Sequence, residues 1–140
     1  MQRVKLSEIS NGEGSIEMKV APAIPILRFF DEDKTRDFYV GFLGFAVDWE
    51  HRFEPGMPLY MQISLGDCRI HLSEHHGDVS PGSAVRIALD DLDRFHAEIS
   101  AKGYKYMRPG IEAMPWGTRE VTVLDPSFNR LVFFAPQKDD

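Results

Sequence analysis

The sequence is short of several features that would commit it to a particular function. Its single cysteine, Cys68, cannot form an intrachain disulfide and suits a reducing compartment, the cytoplasm. No apolar run approaches the roughly 18 residues needed to cross a bilayer. There is no stretch of five basic residues, and 16 Lys and Arg against 22 Asp and Glu leave a net charge of −6. That balance argues against binding a phosphate backbone. A Gly-x-Ser-x-Gly nucleophile elbow is missing, which removes the commonest hydrolase signature. Gly12-x-Gly14 has no Lys-Ser or Lys-Thr after it to cradle a phosphate. What is present is ordinary for a folded domain: 140 residues, 43% hydrophobic and 27% charged, enough to bury one sizeable core.

Periodic structure begins only near Val20. Residues 1–20 mix charges of both signs around Asn11-Gly12-Glu13-Gly14-Ser15 and read as a flexible arm, with Met18 as an alternative start or a second subunit as its docking partner. Ala21 to Phe29 reads as an edge strand, because Pro22 and Pro25 lack ladder donors. Asp31-Glu32-Asp33 signals a helix start, and Phe38, Phe42 and Leu43 give helical spacing up to Gly44. Strands are predicted over Phe45–Phe53, Leu59–Leu65 and Cys68–Ser73, separated by Pro55-Gly56-Met57-Pro58 and Gly66-Asp67.

The same order then returns. After a linker over 76–83 come a strand at Ala84–Leu89 and a helix with Leu92, Phe95 and Ile99, capped by Asp90-Asp91 and closed by Gly103. Further strands are predicted at Tyr104–Met107, Arg119–Leu124 and Arg130–Phe134. At an offset of 59, Asp31 aligns with Asp90, Gly44 with Gly103 and Phe45 with Tyr104, so the chain reads as a duplication. The predicted fold class is α+β. Two βαβββ modules, over 21–75 and 84–135 with a tail at 136–140, form a curved mixed β-sheet cup with one helix per module on the convex side.

The polar run His71 to Asp78 is the obvious place for chemistry. Strand alternation sends His71, Ser73 and His75 to one face, and His51 and Glu50 close a neighbouring strand. Imidazole and carboxylate donors suit zinc, nickel or iron, but a site needs three or four of them converging. His75, His76 and Asp78 read first as a solvated turn, because loop ends are normally hydrophilic. Cys68 falls on the helix-covered face and reads as a buried, inert thiol. Trp116, inside Met114-Pro115-Trp116-Gly117-Thr118, either plugs the core or lines a ligand cleft.

The ordered motifs Ile26-Leu27-Arg28, Asp37-Phe38-Tyr39, Leu43-Gly44-Phe45, Leu89-Asp90-Asp91, Trp116-Gly117-Thr118-Arg119, Asp125-Pro126 and Asn129-Arg130-Leu131 span residues 21–135. In these the chain resembles the glyoxalase/bleomycin-resistance/dioxygenase superfamily, the vicinal oxygen chelate fold, and most of all its bleomycin-resistance branch. The metal-ligand positions of that family fall at Ile24, His71, Ala84 and Val132, and only His71 can coordinate. The resemblance therefore implies a dimeric binding protein without catalysis, cofactor or metal, and Pro22 and Pro25 beside a flexible arm allow the N-terminal strand to exchange between subunits. It would hold a small cationic or aromatic molecule in a cleft at the dimer interface through Tyr60, His71 and Trp116, with Trp49, His51, Arg119 and Phe134 behind them. The rival expectation is a lyase or dioxygenase whose metal has moved to His71, His51, His75 and either Glu50 or Glu74.

Overall fold

The computed structural model describes residues 18–137, so most of the expected arm lies outside the described residues. Elements follow in the order β1 (Ile26–Arg28), α1 (Glu32–Arg36), β2 (Ala46–His51), β3 (Tyr60–Leu65), β4 (Cys68–Ser73), β5 (Ala84–Ala88), α2 (Leu92–Ala101), β6 (Glu112–Ala113), β7 (Thr118–Leu124) and β8 (Arg130–Pro136). Two four-stranded mixed sheets result, ordered β1-β4-β3-β2 and β5-β8-β7-β6. Each has one parallel pair, β1 with β4 and β5 with β8, and the sheets are curved without closing. This is the α+β arrangement of paired βαβββ modules. β1 is shorter than expected because Pro22 and Pro25 precede it, and it occupies a sheet edge, where missing donors do least harm.

The helix starts are capped alike. The Asp31 carboxylate accepts from Lys34 N at 2.9 Å, and Asp91 accepts from Arg94 N at 3.1 Å. Both helices are followed by a left-handed glycine, Gly44 at φ 88° and Gly103 at φ 65°. The caps are therefore 60 residues apart and the glycines 59, so the first module holds one extra residue between cap and stop. That residue is absorbed by a π-helical turn over Asp37–Phe42, which directly follows α1. The aligned cap is thus Asp91 and not Asp90.

One strand is misplaced by the sequence reading. Tyr104–Met107 forms a turn, and the last strand of the second sheet is the two-residue β6. The reason is packing: the Tyr104 ring stacks on Phe42 of the first module at 4.4 Å and 15°, an aromatic contact that strand pairing would break.

Alternation sets the two faces of each sheet. Met61, Ile63, Ile70 and Leu72 of the first, and Val121, Val123, Leu131 and Phe133 of the second, are buried in one continuous core with Phe38, Tyr39 and Ile99 from the helical segments. A buried polar seam joins the modules. Asp125 accepts through Oδ1 from Ser127 N and Asn129 N, and through Oδ2 from the Tyr39 hydroxyl and Asn129 Nδ2, all at 2.7–2.8 Å. Asn129 Nδ2 also donates to Arg28 O at 2.8 Å. Burial first, and then the Asp125 charge, push the Tyr39 phenol well above its usual 10, so it stays a donor.

Candidate functional site

With the helices on one face, the other face of each sheet is open and carries the alternate residues. On the first sheet these are Tyr60, Gln62 and Ser64 of β3 opposite Ser73, His71 and Arg69 of β4. β2 adds more than alternation allows. Val47 pairs with Ile63 but Trp49 pairs with Gln62, so a bulge at Asp48 turns two consecutive side chains to the open face.

A hydrogen-bond relay runs across this face. Tyr60 Oη and His71 Nδ1 are 2.7 Å apart, and His71 Nε2 and Gln62 Oε1 are 3.0 Å apart. Gln62 Nε2 donates to Asp48 Oδ2 at 2.9 Å, and Ser64 Oγ donates to Asp48 Oδ1 at 2.9 Å. Donors and acceptors agree along the whole chain if the Tyr60 hydroxyl donates to Nδ1 and the imidazole is neutral with its proton on Nε2. Burial, which pushes His71 below its usual 6.5, favours the same form. The Trp49 ring lies parallel to Tyr60 at 6.0 Å and edge-on to His71 at 5.2 Å. A polar hollow of about 320 Å³ opens beside the relay, lined by Asp48, Trp49, Gln62, Ser64 and Arg69.

The second sheet is built on charge. Arg86 of β5 grips Glu120 of β7 at 2.7 and 3.4 Å, and the Glu120 carboxylate also accepts from Thr118 Oγ1 at 2.7 Å and Trp116 Nε1 at 3.2 Å. The Arg86 guanidinium lies over the Phe134 ring at 4.4 Å. Glu120 is only 4% exposed, covered by these neighbours rather than by depth. The Arg86 hydrogen bond first, and then Thr118, hold its carboxyl down at about 2. Trp116 is 64% exposed: its indole edge is fixed by Glu120 while much of the ring stays open.

The structure brings Tyr60, His71 and Trp49 into one cluster, with His51 opposite Tyr60 and in ring contact with Phe53 at 5.0 Å. Trp116 and Phe134 form the second cluster. Arg119 joins neither. It points to the helical side and makes a bidentate pair with Asp93 of α2 at 2.8 and 2.9 Å, because Glu120 and not Arg119 has the open-face register. The rival metal set does not converge either. Both nitrogens of His71 are engaged. Glu50 pairs with Arg36, Glu74 accepts from Leu59 N at 2.9 Å, and the His75 ring meets Phe53 edge-on at 6.4 Å. No group of three or more His, Cys, Asp or Glu side chains gathers among the described residues.

Four contributors escaped the sequence reading. Gln62 and Glu120 sit in plain alternation with Tyr60 and Thr118, and Arg86 with Ala84, so strand period could have found them. Asp48 could not be found that way, since a bulge breaks the period that would betray it.

Comparison with known proteins agrees with this architecture. Among solved structures, a bleomycin-binding protein from Streptomyces verticillus in complex with copper(II)-bleomycin is 28% identical, covers 85% of this chain and 98% of its own, with a TM-score of 0.64. A bleomycin resistance determinant encoded on the transposon Tn5 is 25% identical over 85% of this chain and 100% of its own, with a TM-score of 0.66. A glyoxalase-related enzyme from Clostridium phytofermentans, at 21% identity, 89% and 99% coverage and a TM-score of 0.66, shares the fold. No curated protein matches the chain. No helix among the described residues is long and apolar enough to cross a membrane. A family model described as glyoxalase superfamily protein matches residues 10–140, and with paired βαβββ modules beneath that match the chain belongs to the glyoxalase superfamily.

Proposed function

We propose that the chain is a non-catalytic binding protein that sequesters a small aromatic or cationic molecule in the cytoplasm. The ligand lies against the open sheet faces, in a cleft completed by a second copy. The observation that carries this reading is Trp116, a large flat ring left mostly exposed while its indole N–H is tied to Glu120. An anchored ring stacks on a planar ligand at little further entropic cost. The likeness to bleomycin-binding and bleomycin-resistance proteins supports it. Sequestration needs no reacting groups, since binding alone lowers the free ligand by mass action. The lining favours the aromatic part of the expectation, because the cup's carboxylates, Asp48 and Glu120, already have partners. The cationic part rests on the net charge of −6. A dimer fits the uncovered open faces, and exchange of the segment ahead of β1 fits its two prolines.

Titration of the protein with metal-free bleomycin and copper(II)-bleomycin, followed by calorimetry and thermal shift, tests the reading. A ligand at one hundred times its Kd adds about 2.7 kcal/mol to stability. Trp116→Ala and Tyr60→Ala are expected to weaken binding while leaving the fold intact. Affinity unchanged in both variants, or no shift with bleomycins, glutathione thioesters and catechols, would overturn it. So would near-stoichiometric zinc, nickel, manganese or iron in protein purified without chelator, accompanied by turnover that chelation abolishes.

A further inference from the structure

The seam between the modules holds a cavity of about 460 Å³, within the range of small-molecule sites, whose lining shares no residue with the Tyr60–His71 or Trp116–Glu120 clusters. Its walls include Asp33 of α1, Asp37 of the π-helical turn, Tyr104, Tyr106, Leu124 and Phe128. We propose that this groove is a second binding site, separate from the cup, and that it takes an aromatic cation.

Phe128 is the first reason. It is the one described residue other than glycine with positive φ, at 68°, a conformation that crowds Cβ against the following carbonyl oxygen and strains any side chain that has one. The surrounding turn is fully tied. Phe128 N donates to Asp125 O at 3.0 Å, Asp125 N to Asn129 O at 2.8 Å, and Ser127 N and Asn129 N to the Asp125 carboxylate. Glycine would meet that geometry without strain. Phenylalanine meets it while remaining 75% exposed, so burial does not compensate. A strained, unburied aromatic ring beside a cavity is placed to touch something other than its own chain.

The opposite wall is built for a flat ring. Tyr104 is held by its stack on Phe42 and meets Tyr106 edge-on at 5.3 Å, giving a preformed aromatic surface. The charge follows from the polar groups. Asp125 is consumed by its own turn and by the Tyr39 hydroxyl, but Asp33 and Asp37 make no ion pair with any described residue. Lys34 and Lys105 also border the groove, and Lys105 Nζ already lies over the Tyr106 ring at 5.1 Å. The wall thus holds one ammonium group against an aromatic face and keeps two carboxylates for another.

Binding of benzyltrimethylammonium, with benzenesulfonate as its anionic counterpart, tests this by equilibrium dialysis and saturation-transfer NMR on the full chain. The cation is expected to bind and the sulfonate not. Phe128→Gly should weaken the cation about tenfold with a Tm equal to or above the parent's, and Asp37→Asn should weaken it about threefold. Trp116→Ala and Tyr60→Ala should leave unchanged the share of binding that Phe128→Gly removes, which separates this site from the cup. The proposal is overturned if the cation fails to bind at millimolar concentration or the sulfonate binds as well. It also falls if Phe128→Gly lowers Tm or spares affinity, if Asp37→Asn spares affinity, or if the cup variants abolish binding. Dissociation of an oligomer by Phe128→Gly, seen by light scattering, would assign the groove to a second copy instead.

Discussion

The two sheets answer the same geometric problem with different chemistry. Arg28 and Ala88 each stand three residues before the helix cap and lie opposite Ser73 and Phe134, which makes those two positions counterparts. By register Tyr60 then corresponds to Glu120, Gln62 to Thr122, and His71 to Val132. The first sheet satisfies its open face with a neutral relay centred on an imidazole and ending on Asp48. The second has an aliphatic residue at the central position and moves its polar groups one strand outward on either side, into the Arg86–Glu120 pair. A duplicated backbone therefore constrains where side chains point, and leaves their chemistry free to diverge.

The largest effect comes from cutting what the modules share. Asp125→Ala leaves the buried Tyr39 hydroxyl and Asn129 amide without their acceptor and is expected to cost about 3 kcal/mol in urea unfolding. A loss below about 1 kcal/mol would mean that the seam is not structural. Next, Trp49→Ala removes the half-buried ring that packs on Tyr60 and His71, at about 2 kcal/mol.

His71→Val gives the first sheet the residue of the second. It strands the Tyr60 hydroxyl and takes one partner from Gln62, an expected loss of about 1 kcal/mol. It should also alter the pH dependence. Because the folded state holds His71 below its unfolded 6.5, the unfolded chain binds more protons as pH falls. The stability tied to the neutral ring is present above 6.5 and is lost on acidification below it. Glu120, held at about 2 against an ordinary 4.5, contributes stability that is full above 4.5 and fades toward pH 2. His71→Val should erase the first step alone and Glu120→Gln the second alone, as read by Tm against pH. If one variant erases both steps, the two sheets are not independent. The smallest expected change in stability is for Trp116→Ala, within about 0.5 kcal/mol, since its ring is largely in solvent. A clearly larger cost would show the indole to be a structural plug.

Much of this was legible in the residues. β4, the β7–β8 hairpin around Asp125-Pro126, the Asp31 cap and the twin glycines all rest on signals confined to a few neighbouring positions. Alternation placed His71 on the face shared with Ser73, Tyr60 and Trp49 came in through the family resemblance, and His71, Tyr60 and Trp49 share a cluster. Arg119 and Glu50 were expected near ligand or metal but face the helices, where Asp93 and Arg36 meet them. Tyr104–Met107 has strand composition, yet its first ring is claimed by Phe42 from 62 residues earlier.

The chain by itself determined the repeated strand and helix order, the caps and stops, and which face each regular stretch would bury, because those follow from backbone periods of 2 and 3.6 residues. Tertiary structure alone decided that a bulge would bring Asp48 to the open face, that both nitrogens of His71 would be occupied, and that Phe128 would stand strained beside a groove. Each of these depends on partners brought close by strand register or module packing, and distance along a sequence carries no record of them.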